Sequence, residues 1–184
     1  VPVALAIVLA IAVGVVIIAY AQRHQEQHDT EAAAAALQVM LKERTARDTA
    51  TMQSLTGQLM RDEAVLAAFR AGDRAALLAR TGAFLAEIRK RNDITHLYFI
   101  RPDLTTLLRV HRPEDHGDRI DRFVNEQARA TGGFFAGYEQ GPYGSYTLRA
   151  VTPWTVQGQL VGFLEKGIEV EGLVSGLKPA MAAG

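Results

Sequence analysis

The first twenty residues, Val1 to Tyr20, contain no charged side chain and are almost wholly Val, Ala, Ile and Leu. At ~1.5 Å rise per residue, about 20 apolar residues cross the ~30 Å hydrocarbon layer of a bilayer. The run therefore predicts a transmembrane helix over 1–20, with Tyr20, Gln22, Arg23 and His24 at its aqueous boundary. A cleaved signal peptide would carry a shorter apolar core, of roughly 7–15 residues. Ala19-Tyr20-Ala21 imitates such a cleavage site, but the run is too long for that reading. The chain opens without Met and ends on Gly184 without a clear stop, so it reads as part of a longer protein.

From Ala21 to Asp62 there is no proline and a single glycine, Gly57, among Ala, Glu, Gln, Leu, Lys and Arg. These are helix formers. Leu37, Met40, Leu41, Met52, Leu55 and Leu59 recur at helical spacings and make one apolar stripe, interrupted over Arg44 to Asp48. A stalk helix over 21–62, continuous with the membrane helix, would reach ~60 Å. Such a rod suits a homodimer that passes motion to a membrane as well as packing on its own domain. His24 and His28 stand at i, i+4, a spacing that can hold a metal, but no third ligand adjoins them.

Beyond the stalk, helices are expected from Asp62 to Ala71 and, after an Ala71-Gly72 break, from the N-cap Asp73 to Lys90. Strands follow at Ile94–Ile100 and Leu104–His111, joined by the Arg101-Pro102-Asp103 turn. Asp118 is a candidate cap for a helix that buries Ile120, Phe123, Val124 and Ala128 and ends at Gly132-Gly133. Three further strands are expected at Phe134–Glu139, Ser145–Val151 and Leu160–Ile168, with Trp154 packing at a strand end. Glu169 to Gly176 could begin an exit helix toward a second membrane span, placing the sensor module at 63–170 and the exit segment at 171–184. The order matches an α+β, PAS-like module: a five-stranded antiparallel sheet with flanking helices.

Composition removes several classes of function. The formal net charge is zero and no basic patch is interleaved with aromatics, so nucleic acid is not an expected partner. The absence of cysteine excludes thiol catalysis, disulfides and thiolate zinc sites. No Ser-His-Asp order, nucleophile elbow, phosphate-cradling loop or zinc-protease motif is present, and no enzyme activity or cofactor is expected. His111, His116 and Asp118 share one loop and could ligate a metal, but Pro113, Glu114 and Asp115 make it read as an ordinary solvated loop.

Five segments carry a resemblance: Ile94-Thr-His-Leu-Tyr-Phe, Leu108-Arg-Val-His-Arg-Pro-Glu-Asp-His-Gly-Asp118, Gly137-Tyr-Glu139, Leu148-Arg-Ala-Val-Thr-Pro153 and Gly162-Phe-Leu-Glu165. Together they resemble the Cache sensor domains, PAS-like extracytoplasmic modules of bacterial receptors, and within them the double-Cache group of sensor kinases and chemoreceptors. Cyclic-dinucleotide enzymes carry such modules too. The resemblance implies a small molecule held between the sheet and the elements covering it. It also implies an inner-membrane location, with residues from about 21 onward in the periplasm.

Within such a pocket, strand alternation groups Arg109 with His111, Thr147 with Arg149, and His96 with Tyr98. Leu107 should share the Arg109 face. A guanidinium fork binds carboxylates bidentately, so the expected ligand is an organic acid, or an amino acid if Glu139 or Glu165 holds the amine. Tyr143 and Tyr146, in or beside a Gly-Pro loop, are candidate lid residues. Two rival readings remain open. Arg109, Arg149 and Glu165 could form a buried ion-pair network with no ligand. The whole could also be a membrane-anchored protein-interaction module with a filled core.

Overall fold

The computed structural model describes residues 2–141 and 145–170; the side chains of 2–13 and of 16, 19, 21, 26, 27 and 29 fall outside that description. The first element is a continuous helix, α1 (Pro2–Met60). The expected membrane span lies largely on the undescribed side chains, and among the described residues no helix is long and apolar enough to cross a membrane. The chain divides into two compact units, Val1–Thr45 and Ala46–Gly184, so the final turns of α1 belong with the sensor module.

Two short helices follow, each capped as its sequence demands. Asp62 accepts hydrogen bonds from the Ala64 and Val65 amides at the start of α2 (Glu63–Ala71), and Gly72 closes it in the left-handed region at φ 68°. Asp73 caps α3 (Arg74–Asn92) through the Ala76 amide. Strands β1 (His96–Ile100) and β2 (Thr106–Arg109) come next, then α4 (Phe123–Thr131). Strands β3 (Phe135–Gln140), β4 (Tyr146–Val156) and β5 (Gln159–Glu169) complete an antiparallel sheet of order β2-β1-β5-β4-β3. Gln157 and Gly158, both at positive φ, form a two-residue hairpin between β4 and β5.

The sheet separates two cores. On one face Met52 and Leu59 of α1, Phe69 of α2 and Leu77, Leu85 and Ile88 of α3 cover Leu97, Phe99, Leu148, Trp154 and Leu164. On the other, α4 and the loop before it lay Ile120, Val124 and Ala128 over Tyr98, Ile100, Val151 and Phe163.

Four details differ from the expectation. The register steps from Phe99↔Leu108 to Ile100↔Thr106, so Leu107 is bulged out of the alternation and joins the α1–α3 core instead of the Arg109 face. Strand β4 runs on through Pro153 to Val156, because β3 pairs only as far as Val151 and leaves Pro153 on a free edge. Trp154 thus sits within a strand, stacked on Phe69 at 5.1 Å. Strand β5 likewise persists through Glu169, the residue expected to start an exit helix. The rest of that segment, 171–184, and the loop 142–144 with Tyr143 lie outside the described residues.

Candidate ligand-binding site

The central strand β5 places Glu165 opposite Tyr98 on β1 and Val151 on β4. Arg149, two residues back from Val151, reaches Glu165 diagonally. Its Nη1 donates to Glu165 Oε1 at 2.6 Å. Arg122, just ahead of α4, donates from Nη2 to Glu165 Oε2 at 2.9 Å, and Asn125 Nδ2 donates to the same oxygen at 2.9 Å. Glu165 is fully buried. Burial alone would raise its carboxyl, but Arg122 and Arg149 hold it below the ordinary glutamate value.

Arg109 does not enter this network. Its two Nη groups donate to Asp118 Oδ1 and Oδ2, each at 2.7 Å, and Nη1 also donates to the Asp115 carbonyl at 2.8 Å. The fork holds the Asp118 carboxyl below its usual range. Asp118 is therefore the counter-ion of Arg109 and not the cap of α4. The N-cap position is Arg122, which makes no side-chain cap bond. Glu139 of β3 serves that end instead, accepting from the Val124 amide at 3.1 Å.

The three guanidinium groups converge on one ring. Their Cζ atoms lie 5.3 Å (Arg109), 5.2 Å (Arg122) and 6.0 Å (Arg149) from the centroid of Tyr98. His111 meets Tyr98 edge-on at 4.9 Å and His96 at 4.4 Å. Burial pulls the His96 pKa down to about 3 and that of His111 to about 4, so both rings are neutral around pH 7. These residues front an open cleft of about 1040 Å³, also bordered by Thr95, Gly141, Ser145 and Glu169.

Of the residues singled out from sequence, the cleft gathers His96, Tyr98, Arg109, His111 and Arg149 along its wall, with Glu165 buried in the network that holds Arg149. Thr147 is fully buried and Tyr146 is 55% exposed; neither borders the cleft. Arg122 and Asn125 were not anticipated. An arginine next to a helix start resembles a solvated charge, and only the fold turns it inward.

Arg109, Arg122 and Arg149 gather here with Asp118 and Glu165, and the wider rim adds Arg89, Arg112 and Arg119 together with Glu114, Asp115, Asp121 and Glu169. Among the described residues, the buried Nε of Arg149, Nδ1 of His111 and Oδ1 of Asn125 have no hydrogen-bond partner. Such a cluster keeps polar capacity that a bound molecule can use.

The model of the double sensory domain of two-component sensor kinases matches residues 24–181. The chain belongs to this double-Cache family. Solved structures agree on the fold. The Escherichia coli DcuS sensor domain superimposes with a TM-score of 0.60 at 13% identity, covering 74% of this chain and 98% of that one. A domain of a sensory box/GGDEF family protein from Vibrio parahaemolyticus gives 0.58 at 15% identity, covering 74% and 59%. The sensory domain of the Campylobacter jejuni chemoreceptor Tlp3, with isoleucine bound, gives 0.54 at 20% identity, covering 72% and 58%. The chain thus spans somewhat over half the length of the last two. No curated protein matches it. It is a Cache sensor domain, and its described residues hold one five-stranded sheet.

Proposed function

We propose that this Cache domain is the extracytoplasmic sensing region of a bacterial transmembrane receptor, and that its cleft takes a small organic acid. The observation that carries the reading is the convergence of Arg109, Arg122 and Arg149 on Tyr98 at the wall of an open cleft, where the buried Nε of Arg149 has no hydrogen-bond partner among the described residues. A ligand carboxylate would supply an acceptor to that donor and to the guanidinium groups around it. The neutral rings of His96 and His111 add hydrogen-bonding capacity without raising the positive charge.

A zwitterionic amino acid fits less well. Of the two acids first considered for its amine, Glu165 already accepts three hydrogen bonds and Glu139 is engaged at the start of α4. The apolar run at 1–20 serves as the membrane anchor, residues from about 21 onward lie outside the cytoplasm, and α1 pairs with a second copy in a homodimer. Ligand binding acts on the receptor by favouring one of two packings of sheet and helices. The output, whether a histidine kinase, a chemoreceptor or a cyclic-dinucleotide enzyme, lies elsewhere in the receptor.

The test is calorimetric titration of the full chain in nanodiscs with small mono- and dicarboxylates, amino acids and amines. We expect a carboxylate to bind. Arg109→Ala should then weaken binding by roughly 10- to 100-fold, the worth of a charge-assisted hydrogen-bond pair. A panel with no binder, or unchanged affinity in the variant, overturns the anion reading.

A further inference from the structure

The residue after Glu165 points the other way. Lys166 is fully buried on the helix-facing side of β5, between Leu97 on β1 and Ala150 on β4. Its Nζ donates to one acceptor, Thr56 Oγ1 of α1 at 2.5 Å, and the Thr56 hydroxyl itself donates to the Met52 carbonyl at 2.8 Å. An ammonium carries three N–H donors. Two of them find no acceptor among the described residues. We propose that Lys166 makes the grip of the sheet on the last turns of α1 proton-sensitive, so that the domain reads pH in addition to the occupant of its cleft.

No carboxylate answers this lysine. Glu165 faces the cleft on the opposite side of the sheet. On the covering helices Glu63 and Arg70 of α2 and Arg80, Glu87, Arg89, Lys90 and Arg91 of α3 are exposed, as is Arg61 just after α1; Asp48 of α1 is half-buried, and the half-buried Arg74 of α3 donates to the Pro113 carbonyl. The facing strand positions Leu97 and Ala150 are apolar. Burial is accordingly the sole cause that lowers the Lys166 pKa, from 10.5 to about 7.

The sign follows from linkage. When the end of α1 lifts, Lys166 regains water and its ordinary basicity, so the lifted state binds a proton that the docked state lacks between pH 7 and 10.5. Falling pH therefore favours release, by about tenfold per pH unit within that window, and the effect levels off below it. Alkaline conditions tighten the grip. The latch does not depend on which ligand fills the cleft. Because Glu165 and Lys166 are neighbours on β5, however, one strand receives both inputs.

Lysine-selective ¹³Cε NMR of the full chain in nanodiscs decides the matter, since the chain has only Lys42, Lys90, Lys166 and Lys178. One resonance should titrate near pH 7 and vanish in Lys166→Met. Hydrogen exchange at the α1 amides of residues 50–60, corrected for intrinsic rate, should become about tenfold more protected per pH unit from 7 to 9. In Lys166→Met that protection should be high and flat. Four lysines titrating together near their ordinary value, or an unchanged slope in the variant, overturns the latch. Failure of the carboxylate panel would sink the ligand reading and leave this one standing.

Discussion

Glu165 and Lys166 are adjacent, oppositely charged and both fully buried, yet the two faces of the sheet treat them in opposite ways. On the cleft face, Glu165 is well supplied with donors from Arg149, Arg122 and Asn125. On the helix face, Lys166 has one hydroxyl and an apolar surround. The contrast shows where the molecule keeps polar capacity in reserve. The cleft holds charge that a ligand can complete, whereas the helix face tolerates charge only by making it easy to neutralise.

The sharpest way to break that comparison is to remove the centre of the cleft network. Glu165→Gln leaves two guanidinium groups sharing a neutral amide. Loss of one partner from a buried ion pair costs about 3–5 kcal/mol, so the urea midpoint should fall steeply. A near-neutral result would mean that the arginines already have solvent or another acceptor.

A smaller effect is expected on the helix face. A Cβ at Gly162 would come within 2.5 Å of both the Ile100 carbonyl and the Phe69 ring. Gly162→Ala should therefore destabilise by about 1–3 kcal/mol through overpacking and leave carboxylate affinity unchanged. A loss of affinity at constant stability would show that the two faces are not independent.

A single-residue change in a pH slope is the subtlest of the three to read. His96 and His111 titrate at about 3 and 4 in the folded chain, against 6.5 when unfolded. The unfolded chain therefore binds more protons below pH 6.5, and stability falls as pH drops from there through about 4. His111→Gln should flatten part of that slope in urea unfolding at pH 7 and pH 4.5.

Much of this was legible before any coordinates. The Ala71-Gly72 break and the Asp73 cap announced the boundary between α2 and α3, because caps and breaks depend on a few local residues. Alternation placed His96 and Tyr98 on one face of β1, where their rings stack; β2 was expected to run to His111 but ends at Arg109, and His111 reaches Tyr98 from the turn that follows. Alternation failed at Leu107, where a bulge removes one residue from the count. Arg122 and Asn125 were missed because their partner, Glu165, lies 43 and 40 residues away and no local pattern connects them. Glu139 was read as a ligand group for the same reason: the end of α4 that it serves became visible only once β3 folded back beside it. Lys166 gave no signal at all, since a lysine next to a glutamate in a strand reads as one more exposed alternation.

The hairpin at Gln157-Gly158 has a consequence for how the protein is made. It closes the Arg149–Glu165 pair across 16 residues, whereas Thr56 must wait 110 residues for Lys166. While the ribosome is still adding the sheet, the segment bearing Met52 and Leu59 has emerged without the strands that complete its core. Expression fragments that stop short of Gln159 will carry that sticky surface permanently, so the C-terminal strand doubles as the molecule's last safeguard against clumping.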